Sequence, residues 1–265
     1  ERSLRLEDFG WQVNGALGTP RFLAAAQDRI DPEPDHLDPS FSSYRTEREG
    51  YKPLLHYGVT DIPVEQRTVS VPVDMALSFL DEAVSRTQPW CTCVSFPMPN
   101  EAMICSRDTF EQYNLDDIDL PPNLHDTFVD SPAIYRRAQQ VWHDLSDRQW
   151  QTARACYYAR ITELDHQFGR LMDRLEATDQ LENTIVIVTS DHGKYVGGHG
   201  FDAHNFGAFE EIYNIPLIIG GPDIPAGITT DARVGLHDLC PTLLELTAAE
   251  PIEGADAHSF APVLR

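Results

Sequence analysis

The stretch Thr184-Ile185-Val186-Ile187-Val188-Thr189-Ser190-Asp191-His192-Gly193-Lys194-Tyr195-Val196-Gly197-Gly198-His199-Gly200 decides how this chain is read. An unbroken β-branched run, Ile185 to Val188, halts at Thr189-Ser190-Asp191-His192-Gly193. Such a run predicts a fully buried strand of a parallel sheet. In open α/β sheets ligands bind beyond the carboxyl ends of the strands. Here that end carries an acid beside an imidazole, then a glycine, then a second His-Gly at 199–200. Carboxylate oxygen and imidazole nitrogen both suit a divalent cation, and glycine lets backbone approach a bound group closely. Away from a strand end, an Asp-His pair reads more simply as a turn cap and a surface histidine. Its position here makes Asp191 and His192 candidate metal ligands.

Working outward, the pattern alternates strand, loop and helix. Ala153 to Leu175 predicts an amphipathic helix, with Ile161, Leu164, Phe168, Leu171 and Leu175 on one stripe. Ile215 to Ile219 predicts a further strand, closed by Gly220-Gly221-Pro222, and Leu236 to Thr247 a helix with Pro241 near its start. Upstream, Val73, Ala76, Leu77, Leu80 and Val84 fall at helical spacing, and Trp90 to Phe96 reads as a buried strand ending at Pro97-Met98-Pro99-Asn100. The alternation implies an α/β fold, a mostly parallel sheet flanked by helices. Residues 1–69, rich in Pro, Asp, Ser and Arg, read as a loop-rich segment wrapped over the sheet-and-helix part at 70–265, all within one domain at 1–265.

Composition sets the bounds. With 265 residues, 42% of them hydrophobic, the chain can bury a proper core. Forty-two acidic against 20 basic residues give a net charge of −22, which repels nucleic acid and anionic membranes. An anionic substrate would then be held by a local site, a bound cation above all; the acidity itself reads more readily as a solubility or salt adaptation, with many acids in solvated segments such as Asp31 to Asp38 and Asp116 to Asp119. No run approaches the ~20 apolar residues of a membrane span, and the first residues carry no signal-peptide pattern. Oligomeric state and localisation are not legible. Since the chain opens on Glu1, it reads as a piece of a longer protein. The five cysteines, at 91, 93, 105, 156 and 240, lack zinc-ligand spacing and read as core thiols.

A series of motifs between about 150 and 265 resembles the sulfatase family of the alkaline-phosphatase superfamily. They are Tyr157-Tyr158-Ala159-Arg160-Ile161-Thr162-Glu163-Leu164-Asp165, Gly169-Arg170-Leu171, the strand and Ser-Asp-His-Gly of Asn183 to Gly193, and Gly197 to Gly200. Glu210-Glu211 with Pro216-Leu217-Ile218, and Asp238 to Leu243, complete the order. Ser95-Phe96-Pro97-Met98-Pro99 and Asp8-Phe9-Gly10 match more weakly.

The resemblance implies metal-dependent hydrolysis of a small-molecule sulfate monoester, with Asp191 and His192 binding a divalent cation, calcium above all. It also implies a formylglycine nucleophile made from a Cys or Ser that opens a Cys/Ser-x-Pro-x-Arg motif. No Cys or Ser here opens one, and the family's preceding Asp-Asp pair is not recognisable. The expectation is therefore a C-terminal part of a catalytic domain, with the N-terminal part missing and the fragment inactive alone. Asn100 stands where the family has a sulfate-contacting His. His204, in Phe201-Asp202-Ala203-His204-Asn205, stands near the family's Lys and is the candidate general acid. His199 is a second candidate catalytic residue and Lys194 a second candidate substrate contact, although a Lys in that position also suits a solvent-facing side chain. Glu210 and Glu211 read as helix braces. Two other readings stay open: a phosphodiester or phosphonate monoester hydrolase of the same superfamily, and a non-catalytic binding module.

Overall fold

The computed structural model describes residues 10–44, 54–100, 102–204 and 207–265. Asp8 and Phe9, part of one weak motif, lie outside the described residues. The strands are β1 (Ser43–Tyr44), β2 (Leu55–Thr60), β3 (Met103–Ser106), β4 (Val186–Thr189) and β5 (Leu217–Gly220). The helices are α1 (Pro20–Ala25), α2 (Val71–Ala83), α3 (Arg107–Phe110), α4 (Ala133–Gln139), α5 (Asp147–Ala177), α6 (Glu210–Tyr213) and α7 (Leu239–Leu246).

The core lies between β2, β3 and α5. β2 runs parallel to β3, pairing Tyr57 with Met103 and Thr60 with Ser106, and antiparallel to the short β1. Val59, Met103 and Cys105 are fully buried, as are Ala153, Cys156 and Ala159 of α5. These small α5 side chains sit at spacings of three along one face, so the helix packs close to the sheet. α5 begins with a reciprocal cap, in which Ser146 receives the Gln149 N–H and Gln149 returns a bond to the Ser146 N–H.

Several sequence expectations change in the structure. β2 lies inside the segment read as loop, and its His56 to Thr60 are all buried. The buried stripe of α5 is not the predicted apolar one. It runs through Ala153, Cys156, Arg160, Glu163 and Gln167, while Ile161 is 44% exposed. Polar residues can occupy that face because they find partners. Glu163 pairs with the buried Arg67 guanidinium at 2.5 Å and accepts the Ser106 N–H at 2.7 Å, and Arg67 also donates to the Ile104 carbonyl at 3.0 Å. Arg160 donates to the Ala102 carbonyl, and its burial pulls its pKa down to about 10.

The mostly parallel single sheet is corrected as well. Among the described residues there are two small sheets, and β4 pairs with β5 antiparallel, Val186 opposite Gly220 and Thr189 opposite Leu217. With only that neighbour, β4 is half-buried rather than fully buried. Residues 90–96 form no strand, because no neighbour among the described residues supplies the hydrogen-bond ladder. Cys91 and Cys93 are consequently exposed, as is Cys240 in α7, so the core-thiol reading holds for Cys105 and Cys156 alone.

Candidate functional site

β4 delivers Ser190, Asp191 and His192 to its carboxyl end, as the sequence requires. The turn is held locally. The Ser190 hydroxyl donates to the His192 carbonyl at 2.7 Å, and the Asp191 carboxylate accepts the His192 N–H at 2.9 Å. His192 Nδ1 lies 2.8 Å from the Gly193 carbonyl oxygen. A carbonyl only accepts, so this contact assigns a proton to Nδ1, and in the neutral ring Nε2 is then the nitrogen with a lone pair to offer. That is the tautomer of a metal-ligating histidine steered by a backbone carbonyl. Asp191 Oδ1 lies 3.7 Å from Nε2, and the Asp191 side chain is 85% exposed. A carboxylate and an available imidazole nitrogen at this separation fit two positions of one divalent cation's shell. They are two donors where calcium takes about 6–8. Among the described residues no group of three His, Cys, Asp or Glu converges to complete it.

Gly193 is required by packing. A Cβ there would sit 1.9 Å from the Glu211 carbonyl oxygen, and the Gly193 N–H donates to the Ile212 carbonyl at 2.8 Å. The end of β4 is thereby locked to α6.

The loop from Lys194 to His204 then folds back. Its inner turn is closed by Gly198 N–H to Tyr195 O at 2.9 Å and Gly197 N–H to Phe201 O at 2.8 Å, with Gly197 in the left-handed region at φ 96°. It docks on α5, where Arg154 donates to the Val196 carbonyl at 2.9 Å and Trp150 lies against Gly197. The fold-back brings His204 onto His192. The two imidazoles stack with centroids 3.9 Å apart and planes 8° from parallel. Residues 12 positions apart in sequence thus share one surface at the end of β4.

The other candidates lie elsewhere. His199 makes its contacts with a different set of groups. Its Nδ1 is 2.9 Å from Asp126 Oδ2, its Nε2 is 3.7 Å from Glu211 Oε1, and its ring packs on Phe209 at 4.1 Å. The hydrogen bond to His199 holds the Asp126 carboxyl below its usual range. Asn123 donates to the same Glu211 oxygen at 3.1 Å, so Glu211 braces this loop rather than its own helix start, where no side-chain cap forms. Lys194 is not solvent-facing. Its side chain is 4% exposed, with Nζ 3.2 Å from Asp202 Oδ2. Asn100 closes the 97–100 turn through its N–H to the Pro97 carbonyl at 3.3 Å, and its Oδ1 is buried with no hydrogen-bond partner among the described residues.

Sequence reasoning missed His56 and Asp202. His56 Nε2 is 3.0 Å from Asp202 Oδ2, and both side chains are 1% exposed. Neither sits in a recognisable motif, and β2 itself was not legible.

The buried α/β core, the acid and imidazole at the end of β4 and the glycine-rich fold-back accord with the alkaline-phosphatase superfamily, to which the family match below assigns the chain. The model for the sulfatase family matches residues 73–249, and the chain belongs to that family. A sulfatase of Formosa agariphila is 26% identical over 204 residues, which cover 74% of this chain and 40% of that protein. An N-acetylglucosamine-6-O-sulfatase of Bacteroides thetaiotaomicron is 28% identical over 249 residues, 94% of this chain and 39% of that protein. The solved phosphonate monoester hydrolase SpPMH from Silicibacter pomeroyi superposes with a TM-score of 0.74 at 23% identity, over 98% of this chain and 51% of its own. At that identity the likeness shows the fold alone. The chain spans about two fifths of the length of these two curated relatives.

Proposed function

We propose that the protein hydrolyses sulfate monoesters of small molecules, using the surface at the end of β4. The observation that carries this is the His192–His204 stack beside Asp191, which puts a candidate metal pair and a candidate proton donor on one surface. Asp191 and His192 Nε2 hold a divalent cation, for which calcium is the candidate. When bound, such a cation screens the charge of the ester oxygens and fixes their orientation. His204 hydrogen-bonds the leaving oxygen and gives it a proton as the ester bond breaks, a contribution of roughly 10²–10⁴-fold. His199 braces the loop through Asp126 and Glu211. The reading assigns the nucleophile to no residue here, because no Cys or Ser opens the formylglycine motif.

The test uses the full-length protein with calcium and three nitrophenyl probes: a sulfate, a phosphodiester and a phosphonate monoester. Preferential turnover of the sulfate, with calcium affinity lost in Asp191→Asn and His192→Ala, supports the reading. Preference for either phosphorus ester selects the phosphonate or phosphodiester alternative. Calcium binding without any turnover leaves a non-catalytic module.

A further inference from the structure

A buried polar cluster includes two residues of the segment that joins His192 to His204. Asp202 Oδ2 receives Lys194 Nζ at 3.2 Å and His56 Nε2 at 3.0 Å, and the three side chains are 1–4% exposed. Apolar rings complete the surround. Trp150 meets His56 edge-on at 5.6 Å, and Tyr57 lies 5.3 Å from it. Burial drives the Asp202 carboxyl upward, but the neighbouring His56 and Lys194 outweigh it and hold it below the usual carboxylate value.

Such a cluster is weak as a source of stability. Taking charges from water offsets most of their mutual attraction, and an apolar replacement of equal volume is often neutral or better. Its placement is more telling. Lys194 stands two residues after His192, and Asp202 two residues before His204. The Lys194–Asp202 contact therefore crosses the neck of the loop whose ends carry the two stacked imidazoles. His56, on β2, fastens that neck to the central strand of the three-stranded sheet.

We infer that His56, Asp202 and Lys194 are positioning residues that set the separation of His192 and His204. None of the three touches the ester in this role. The cluster fixes where the proton donor stands relative to the metal ligand, and Lys194 serves as the cross-brace rather than as an anion contact. The inference rests on the functional reading above only for its kinetic consequence, since the spacing itself can be measured without turnover.

The experiment replaces the charged pair in the full-length protein by Lys194→Met/Asp202→Leu, and separately by the shape-conserving Lys194→Gln/Asp202→Asn. The stacked rings shift each other's imidazole C–H resonances, which nuclear magnetic resonance reads directly for His192 and His204. In a variant that melts close to the wild type, these resonances should move to unstacked positions. With nitrophenyl sulfate, kcat should fall about tenfold or more while KM changes far less, because misplacing a reacting group by about 1 Å can cost ~10²-fold. A stably folded pair variant whose histidine resonances stay in place overturns the inference. So does failure of both pairs to fold, which would make the cluster a stability element. If the wild type turns over no sulfate ester, the functional reading fails while the resonances still decide the positioning role.

Discussion

Gly193→Ala tests whether the end of β4 is held by close packing. The new methyl would lie 1.9 Å from the Glu211 carbonyl oxygen and 2.9 Å from the Glu211 carbonyl carbon. Both are backbone atoms, so no rotamer change relieves the clash. Restoring ordinary contact at 3.4 Å or beyond needs a relative displacement of about 1.5 Å between the turn and α6. That shift breaks the Gly193 N–H to Ile212 carbonyl bond, worth about 1 kcal/mol net. Overpacking adds roughly 1–3 kcal/mol. The sum corresponds to a fall in melting temperature on the order of 4–15 °C for a chain of this size. Because His192 is the adjacent residue, an ångström-scale shift should also cost about 10²-fold in turnover. Differential scanning fluorimetry gives the first quantity, and steady-state kinetics on a nitrophenyl sulfate the second. A Gly193→Ala protein with wild-type melting and wild-type kcat would refute the reasoning, since α6 would then yield freely.

Glu163→Gln leaves the buried Arg67 guanidinium without its counter-charge and should cost about 3–5 kcal/mol in denaturant unfolding. Asp126→Asn should flatten the acid limb of the stability curve. The Asp126 carboxyl is depressed in the folded state, so its contribution is present at neutral pH and lost as pH falls below about 4. With the side chain 34% exposed, the effect should stay below about 1 kcal/mol, read from urea midpoints across pH. His204→Ala should slow alkyl sulfates, whose leaving groups need a proton, roughly 10²–10⁴-fold, and nitrophenyl sulfate far less. Equal losses on both substrates remove His204 from that role.

What the sequence makes legible follows the physics of local signals. β4 and its Asp-His end, β5, α5 and α7 all announce themselves, because hydrophobic period, caps and glycine stops act over a few residues. The neighbourhood of His192 and His204 follows from their shared loop, although only the fold-back places one ring on the other. His56 was out of reach, since its relation to Asp202 is a contact across 146 positions with no periodic trace in β2. The buried face of α5 was misread for a related reason. Apolar count favours Ile161 and Leu164, whereas burial follows the partners that Arg67 and the β3 backbone supply to Glu163. Residues 90–96 failed in the opposite sense, since strand propensity without a paired neighbour leaves a segment extended but unlabelled.

The Arg67–Glu163 pair constrains how this protein can change over time. Losing either member alone strands a charge in the core, whereas exchanging both for apolar residues of matching volume removes both charges and leaves only the Ser106 N–H and the Ile104 carbonyl to find new partners. A lineage must therefore cross a valley to leave the present state, with the two positions changing together or not at all. Homologous sequences should consequently show either the intact charged pair or a wholly apolar one, and mixed combinations should be scarce even though 96 positions separate the two residues.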